Sequence, residues 1–432
     1  MRLFNTLLFV LFALSANAAD GTVGTVSVQK GNNVSVNGEA PLSLTLDGKD
    51  HQSCQFLSKR APDESHEFTW KEVTTTRGGE LAEILGDQLR SVDSLVVKGN
   101  INDKDFHAMW DASLYGYLSV INLKNAVLEN NAVPDTAFFH ENEQYEGSSH
   151  EIFYYIGLRK IILPEGLEKI GEGAFYQASA LRQVNFPSTL RYIGDFAFNA
   201  TKLEMNQLVI PEGVEEINQY AFAFCRKLKA QVILPSAIKK IGEWAFYGCP
   251  ITSINLPEGL ESLGSLAFWD CDLREVSIPS SCHEFNEGWQ FGFNRNLEKM
   301  HLPEGMTEIP DHFAVDCFRL REVNFPHTLK HIGEKAFSLC ISLKNVELPL
   351  GMQSLGEEAF SELEALEQIV FPASMKSLGK NSCSYWKNIK RIYCAAMEPP
   401  VCDPTDGGVF SGFDFPDGFD TPVVYIPKGT IN

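Results

Sequence analysis

The chain has 432 residues, of which 44% are apolar and 21% are charged, a composition typical of globular rather than disordered proteins. Its formal net charge of −20 argues against a nucleic-acid partner and against docking on anionic lipid, because both kinds of binding need a basic surface. The length suits two or three compact domains or one long repeat array.

The first eighteen residues have the features of a secretory signal peptide. Arg2 supplies a positive charge, residues 3–14 are almost wholly apolar, and Ala16 and Ala18 frame a small-residue cleavage site. The apolar run is too short to span a membrane well, and no later stretch of the sequence is long enough for a transmembrane helix. The sequence therefore predicts cleavage after about Ala18 and a secreted or cell-surface protein without transmembrane anchoring.

Two regions precede the regular part of the sequence. Residues 19–76 contain short polar and β-prone pieces and are predicted as an N-terminal β-prone segment. Residues 77–157 are predicted as a cap with degenerate repeats. This cap begins with a short amphipathic helix at residues 80–89 and includes a repeat marked by Pro134, Ala137 and Phe138. The polar stretch 140–151 is predicted to be an exposed loop.

A motif of 22–24 residues recurs through residues 158–393. Each unit begins with a short alternating apolar run, predicted as a strand, which ends at a proline because proline cannot donate to a ladder. A second apolar pair, a glycine and an Ala-Phe pair follow. One such unit cannot bury its own apolar face, so neighbouring units must stack as the coils of a solenoid. The prolines that mark the ten units are Pro164, Pro187, Pro211, Pro235, Pro257, Pro279, Pro303, Pro326, Pro349 and Pro372.

Stacking places equivalent positions above one another, which predicts an aromatic column and a cysteine column in the core. No histidine recurs beside the cysteines, and their slot holds Ala178 in one unit and Phe293 in another, which favours a buried apolar slot. Disulfides between adjacent coils and a reactive thiol are the alternatives. The aromatic column comprises Phe175, Phe198, Phe222, Phe246, Phe268, Phe337 and Phe360, and the cysteine column comprises Cys225, Cys249, Cys271, Cys317 and Cys340.

Two details of the units carry further predictions. The glycine of the motif, as in Gly194, is interpreted as the residue of a tight turn or of a positive φ angle. The unit after Pro279 is irregular, and Trp289 and Gln290 are predicted to replace its Ala-Phe pair. The next unit inverts the pair as Phe313-Ala314. We interpret these departures as drift that a coil tolerates, with a local bulge that forms a ligand site as the alternative.

The motif L-x-x-[IV]-x-[LF]-P-x-x-[LVM]-x-x-I-G-x-x-A-F-x-x-C resembles the BspA-like leucine-rich repeats found in exported proteins of Bacteroides-type bacteria and some protozoa. The resemblance covers about Leu158 to Ile392. The asparagine of the commoner leucine-rich motif is missing, so a helical convex side is not implied. Residues 77–139 resemble the lead-in of such proteins. Residues 394–432 resemble their closing segment and stop at Asn432, which favours a truncated C-terminus; Cys394 and Cys402 could pair across it.

The resemblance implies a β-rich solenoid of leucine-rich repeats. It would have about ten regular coils of 22–24 residues, degenerate N-terminal repeats, and small flanking segments at both ends. The family is associated with adhesion at the cell surface and with the binding of host or partner proteins. The resemblance therefore implies that the chain recognises a protein, such as a host matrix protein or another surface protein.

The sequence contains no motif that indicates catalysis, a cofactor or a metal site. A phosphate-binding glycine loop, a His-Glu-x-x-His motif and a nucleophile elbow are all missing. His327 and His331 are four residues apart, but they lie across a strand and a turn, so we interpret them as exposed repeat positions. The chain is therefore predicted not to be an enzyme and to use no cofactor or metal. A hydrolase within residues 19–75 or the C-terminal segment is the least favoured alternative.

The remaining candidate site is an exposed strand face of the solenoid, because repeats vary their outward positions while the core positions stay fixed. Ile162, Val209 and Ile233 are apolar at such positions, which indicates either a partner patch or contact with the N-terminal segment. Protein recognition is the predicted function, and glycan binding without catalysis is the alternative; it would favour aromatic side chains on this face. The outward slot two residues before each proline holds Ile162, Asn185, Val209, Ile233, Asn255, Ser277, His301, Asn324, Glu347 and Val370.

Overall fold

The computed structural model describes residues 66–139, 156–402, 408–412 and 422–427. It also gives the backbone of short strands at Gly24–Gln29, Asn33–Gly38, Leu44–Thr45, Phe56–Leu57 and Phe153–Tyr154. The predicted signal peptide (1–18) and polar loop (140–151) lie outside the described residues. The chain divides into two compact units. The first comprises residues 1–167 and 173–185, and the second comprises 168–172 and 186–432.

In its described residues, the first unit contains a five-stranded parallel sheet and two helices. Helix α1 (Leu81–Leu85), which continues into a 3-10 turn at Gly86–Gln88, buries Leu81 and Leu85, in agreement with the amphipathic helix predicted for residues 80–89. Helix α2 (Asp103–Tyr115) follows the strand Ser94–Ile101. A 3-10 turn at Glu129–Asn131 and a short strand at Ala132–Val133 follow the strand Val120–Leu128. In sheet order the strands are Gln183–Val184, Lys160–Ile162, Val120–Leu128, Ser94–Ile101 and Trp70–Thr75.

The buried carboxylate of Asp105 holds the two helices together. It accepts hydrogen bonds from the backbone N–H groups of Gly79 (2.6 Å) and Leu81 (2.9 Å) at the start of α1. It also accepts one from Asn102 (2.9 Å), which caps α2. Helix N-termini leave such N–H groups without intrahelical partners, so one carboxylate satisfies donors of both helices.

The predicted degenerate repeat is present in the first unit. Ala137 and Phe138 are buried, and the ring of Phe138 stacks on that of Phe175 with centroids 5.3 Å apart. The backbone N–H of Phe138 donates to the carbonyl oxygen of Ala174 (2.8 Å), so the two Ala-Phe pairs lie in register. The repeat pattern therefore extends upstream of the regular motif.

The second unit is a stack of coils that carries two parallel ladders. The first ladder is formed by the strands before the prolines, and their middle residues point into the core. The second ladder is formed by two-residue strands after the prolines. The strands of the first ladder are Gln207–Val209, Gln231–Ile233, Ser253–Asn255, Glu275–Ser277, Lys299–His301, Glu322–Asn324, Asn345–Val346, Gln368–Phe371, Arg391–Cys394 and Val423–Tyr425. The strands of the second ladder are Lys169–Ile170, Tyr192–Ile193, Glu216–Ile217, Lys240–Ile241, Ser262–Leu263, Glu284–Phe285, Glu308–Ile309, His331–Ile332, Ser354–Leu355, Ser377–Leu378 and Val401–Cys402.

A third set of coil-to-coil hydrogen bonds runs along the turns around the Ala-Phe pairs, which we call the turn face. The N–H of Phe198 donates to the carbonyl oxygen of Ala221 (2.8 Å), and that of Phe222 donates to Ala245 (2.9 Å). Two residues of each turn, four positions apart, have a positive φ, as at Tyr220 (55°) and Phe224 (61°). The sequence does not reveal this third ladder, because the residues with positive φ are mostly not glycine.

The glycine of the motif has a different role from the predicted one. Gly194 does not have a positive φ. A Cβ atom at residue 194 would lie 2.6 Å from the backbone nitrogen of Glu172 in the preceding coil, far inside van der Waals contact. Glycine is therefore needed at this position because the backbones of adjacent coils approach closely, and the positive-φ interpretation is wrong.

The aromatic column is confirmed in the core of the second unit and is longer than predicted. The rings of Phe198 and Phe222 stack at 5.3 Å, and equivalent stacking continues to Phe268. Phe291 then occupies the column, with its ring 5.5 Å from that of Phe268. The prediction that Trp289 and Gln290 replace the Ala-Phe pair is therefore wrong by one residue.

The pair at Phe313-Ala314 is inverted in the backbone, as the sequence indicates. The N–H of Phe291 donates to the carbonyl oxygen of Phe313, which therefore stands in the alanine position. Its ring nevertheless enters the column, 5.4 Å from the ring of Phe291 and at 76° to it. The five-stranded sheet of the first unit and the ladders of the second are parallel, and the predicted solenoid of leucine-rich repeats is confirmed. Among the described residues, the helices are too short or too polar to cross a membrane.

Candidate functional site: the strand face

The strand face consists of the outward side chains of the strands that precede the prolines. None of its ten predicted slots is buried. Ile162 and Asn185 belong to the first unit and the other eight belong to the second. Ile162, Ile233 and His301 are half-buried, whereas the other seven slots are exposed: Asn185, Val209, Asn255, Ser277, Asn324, Glu347 and Val370.

Two of these slots are occupied by structural asparagines. The side chain of Asn324 accepts a hydrogen bond from the N–H of Leu302 (2.9 Å) and donates one to its carbonyl oxygen (3.0 Å). Asn185 makes the same pair of bonds with Leu163, at 2.7 and 3.0 Å. Their side-chain amides are therefore already engaged by the preceding coil, and a polar residue at an exposed slot is not by itself a binding residue.

The first section of the strand face in the second unit combines amides with apolar side chains. Val209 pairs in register with Ile233, and Val209 is 50% exposed. Beside them, Gln207 and Gln231 form a second outward column, and their side chains are 3.4 Å apart. The slot two residues before each proline does not predict this second column, because a three-residue strand presents two outward side chains and that slot is only one of them.

The middle section of the strand face is charged. His301 lies 3.3 Å from the carboxylate of Glu275, and Lys299 lies 3.2 Å from that of Glu322. These residues sit on three adjacent strands, with Glu275, Lys299 and Glu322 in register. The pairs are exposed, so they set the charge pattern of the surface more than its stability.

The last section of the strand face is apolar and aromatic. Val370, Tyr393 and Tyr425 lie in register on three neighbouring strands. The rings of Tyr393 and Tyr425 stack at 4.5 Å, and Val423 on the same strand is 53% exposed. The sequence pattern does not single out Tyr393, because no proline follows it two residues later, although it lies one repeat length after Val370. Tyr425 does stand two residues before a proline, Pro427, but it lies beyond the ten regular units.

An ion triplet borders this last section. Lys344 and Lys390 lie on either side of Glu367, with nitrogen–oxygen distances of 3.1 and 3.2 Å. Side-chain hydrogen bonds from the two lysines lower the pKa of Glu367. The carboxylate therefore stays ionised, and the triplet gives the apolar section a charged rim.

The side chains in the cysteine slot of the core donate hydrogen bonds, and they are not arranged for catalysis. The thiol of Cys317 donates to the carbonyl oxygen of Phe291 in the preceding coil (3.3 Å). Asn294, not Phe293, occupies the slot in the irregular coil, and its amide donates to Phe268 (2.7 Å). The same bond links Cys225 to Phe198 (3.2 Å), Cys249 to Phe222 (2.9 Å), Cys271 to Phe246 (3.3 Å) and Cys340 to Ala314 (3.3 Å).

The electrostatic environment of these thiols opposes reactivity. Burial raises the pKa of Cys317 to about 12 and raises those of Cys249, Cys271 and Cys340 well above the ordinary value. A nucleophilic cysteine needs the opposite shift, because the thiolate is the reactive form. The nine cysteines of the described residues are all free thiols, including Cys394 and Cys402.

The two histidines four residues apart have separate partners. His327 is almost fully exposed and contacts the carboxylate of Glu304 (3.0 Å). His331 contacts the hydroxyl of Ser354 (2.6 Å) on the second ladder. Within the part of the chain that the structure describes, there is no group of three or more histidine, cysteine or acidic residues placed to hold a metal ion.

Comparisons with known proteins give one family. A model described as BspA type leucine rich repeat region matches six copies, at residues 148–236, 229–330 and 309–397, which together span more than half of the chain. A comparison with curated proteins gives no match.

Solved structures give the fold. The crystal structure of a leucine-rich repeat protein from Bacteroides ovatus is 21% identical, with a TM-score of 0.52, and the match covers 86% of this chain and 93% of that one. A leucine rich cell surface protein from Faecalibacterium prausnitzii is 21% identical (TM-score 0.35; 61% of this chain and 83% of that one). The pneumococcal vaccine antigen PcpA is 18% identical (TM-score 0.36; 95% of both chains). At 21% identity, the likeness to the Bacteroides ovatus structure shows the fold alone.

Proposed function

Because the chain belongs to the BspA type leucine-rich repeat family, we propose that it is a binding protein of the cell surface or the secreted fraction that recognises a protein partner through its strand face. The N-terminal sequence supports export, since it has the parts of a signal peptide. Family membership supports a scaffold role, because repeat arrays vary their outward positions on a constant core. No catalytic role is proposed.

The observation that carries this proposal is the exposure of apolar side chains on otherwise regular strands. Val209 is 50% exposed and Val370 is 48% exposed, and each has apolar neighbours in register, Ile233 and Tyr393. Exposed apolar groups rimmed by polar and charged residues are typical of protein interaction sites. Gln207 and Gln231 supply such a rim for the first patch, and the Glu367 triplet borders the second.

The two patches differ in what they offer a partner. Val209 and Ile233 form an aliphatic patch flanked by amides, whereas Val370, Tyr393 and Tyr425 form a patch that includes two stacked rings. Tyrosines are enriched among the residues that dominate binding energy. We therefore expect the second patch to contribute more affinity per residue and the first to contribute specificity.

Direct binding tests this proposal. The full chain would be titrated onto immobilised collagen, laminin and fibronectin, in parallel with a Val209→Lys/Ile233→Lys variant and a Val370→Lys/Tyr425→Lys variant. A charge in a desolvated patch costs binding energy, so we expect either variant to bind at least about tenfold more weakly, which is about 1.4 kcal/mol.

The matched control is Leu350→Lys. Leu350 is 88% exposed and follows Pro349 in a turn, so this substitution removes an accessible apolar side chain away from the strand face. Saturable binding that survives both double variants, or that Leu350→Lys abolishes, would move recognition away from the strand face. Circular dichroism of each variant controls for folding.

A further inference from the structure

The turn face of the second unit carries a stripe of aromatic residues over four adjacent coils. This aromatic stripe consists of Tyr220, Trp244, Tyr247, Trp269, Trp289 and Phe293, and all six residues are partly exposed. It contains three of the six tryptophans of the chain. At roughly 4.8 Å per coil, it extends over about 15 Å.

Backbone geometry argues that these rings are not needed to build the coil. Tyr220, Trp244 and Trp289 have φ angles of 55°, 57° and 66°, where a bulky side chain costs about 1–2 kcal/mol. The equivalent positions in later coils hold Lys335 and Glu358, at φ values of 52°. The fold therefore accepts polar residues at this position, so the backbone does not require aromatic side chains there.

The rings brace one another and lie against the coil surface. Tyr220 stacks on Trp244 at 5.3 Å, and Trp244 lies 4.3 Å from Tyr247. A Cβ atom at Gly292 would overlap the indole of Trp269, so this ring lies directly on the backbone of the next coil. One side of the Trp269 indole is thus fixed by the protein, and the ring is partly exposed.

The polar groups along the stripe are already paired. Arg226 contacts the carboxylate of Asp270 at 2.8 Å, and the amide of Gln219 donates to Glu243 at 3.0 Å. The Arg226–Asp270 pair cancels its own charge, whereas Gln219 leaves the negative charge of Glu243 in place, which disfavours an anionic ligand. Both pairs present donors and acceptors side by side next to the rings.

Arg295 and two tyrosine hydroxyls also border the aromatic stripe. The guanidinium is held against an aromatic ring, and the hydroxyls are neutral. The guanidinium of Arg295 lies over the ring of Phe293 at 5.6 Å. Burial raises the pKa of Tyr220 and of Tyr247, so both phenols remain protonated hydrogen-bond donors at neutral pH.

We infer that the aromatic stripe is a binding site for a neutral polysaccharide. A pyranose ring has apolar C–H faces that pack on aromatic rings and a rim of hydroxyls that need both donors and acceptors. The stripe supplies both features over a length that holds several sugar rings. This site is separate from the strand face and does not depend on the function proposed for that face.

Native affinity electrophoresis tests the assignment. The full chain would be run in gels that each contain one soluble polysaccharide: neutral amylopectin, xyloglucan, galactomannan or mixed-linkage β-glucan, or charged polygalacturonate or heparin. We expect retardation by at least one neutral polysaccharide. Trp269→Ala should weaken the binding about tenfold or more, while Trp70→Ala should leave it unchanged. Trp70 is the matched control because it is 64% exposed and lies in the first unit.

A second variant guards against loss of folding. Asp270→Asn keeps the size of a half-exposed side chain and removes the carboxylate that pairs with Arg226, so it should weaken retardation in a chain with an unchanged melting temperature. Retardation by no polysaccharide, or only by the charged ones, would overturn the assignment. Equal retardation of wild type and Trp269→Ala would also overturn it. So would a result in which no polysaccharide retards the chain and Trp269→Ala instead abolishes the binding of a protein.

Discussion

The side-chain amide of Asn294 donates a hydrogen bond to the carbonyl oxygen of Phe268 (2.7 Å), at the position where the thiol of Cys317 serves Phe291 in the next coil. The same amide also donates to the carbonyl of Phe291 in its own coil (2.8 Å). In these coils the slot thus holds a small buried donor. Cysteine and asparagine share that property, which explains their exchange between coils.

This relationship predicts how residue 294 tolerates substitution. Asn294→Ala removes the donor and leaves buried carbonyl groups with fewer partners, so we expect a loss of about 1–3 kcal/mol. Asn294→Cys restores the donor found in other coils and should recover most of that loss. Thermal melting of the two variants checks this, and equal melting temperatures for them would show that the donor is unimportant.

The buried thiols predict a loss of stability in alkaline solution. Burial raises the pKa of Cys317 and Cys383 to about 12, whereas a thiol in the unfolded chain titrates near about 8.5. Between these values the unfolded state binds fewer protons than the folded state. The stabilisation is therefore fully present below about pH 8.5 and is lost as pH rises towards about 12, by up to about 1.4 kcal/mol per pH unit for each thiol.

The measurement is the melting temperature at pH 8 and pH 10. Lysines and tyrosines also titrate in this range, so the test compares wild type with Cys317→Ser, which keeps a small donor that does not ionise. We expect the variant to lose less stability between the two pH values than wild type. Parallel pH profiles would mean that the thiol does not control this loss.

The period of the sequence predicts the core and misses much of the surface. Phe198 and Phe222 repeat because each must fill the same buried slot, so spacing alone places them. The side chain of Asn324 looks like any exposed polar residue in the sequence, because its bond to Leu302 depends on the register of two coils. The φ angle of Trp244 is equally hidden, since no residue type there announces a left-handed backbone.

Close packing of adjacent coils predicts a sharp contrast between two glycines in one coil. A Cβ at Gly356 would lie 2.6 Å from the backbone nitrogen of Glu334, so Gly356→Ala should destabilise the chain by about 1–3 kcal/mol. A Cβ at Gly351 would lie 3.9 Å from its nearest neighbour, the carbonyl oxygen of His327. Gly351→Ala should therefore be neutral, or stabilising by up to about 1 kcal/mol, because alanine restricts the unfolded chain.

Thermal or urea denaturation of the two alanine variants checks this contrast. Both substitutions add one methyl group to the same coil, so differences in expression or unfolded-state chemistry are minimised. A Gly356→Ala variant as stable as Gly351→Ala would show that the coils can move apart, and that the motif glycine is not required for their spacing.

Asn324 and Val209 predict opposite effects of substitution on the strand face. Asn324→Ala removes two hydrogen bonds to the backbone of Leu302 and should cost about 0.5–1.5 kcal/mol for each, with partner affinity unchanged. Val209→Lys changes a half-exposed side chain and should reduce partner binding while stability changes by no more than about 0.5 kcal/mol.

The matched control for this pair is Asn255→Ala. Asn255 is exposed in the same slot as Asn324, and within the described residues its side chain makes no hydrogen bond comparable with those of Asn324. Its substitution should therefore leave stability unchanged, which isolates the cost of the two bonds in Asn324→Ala. An Asn324→Ala variant that keeps its melting temperature and loses partner binding would identify Asn324 as a contact residue, and the structural role argued for it would then be wrong.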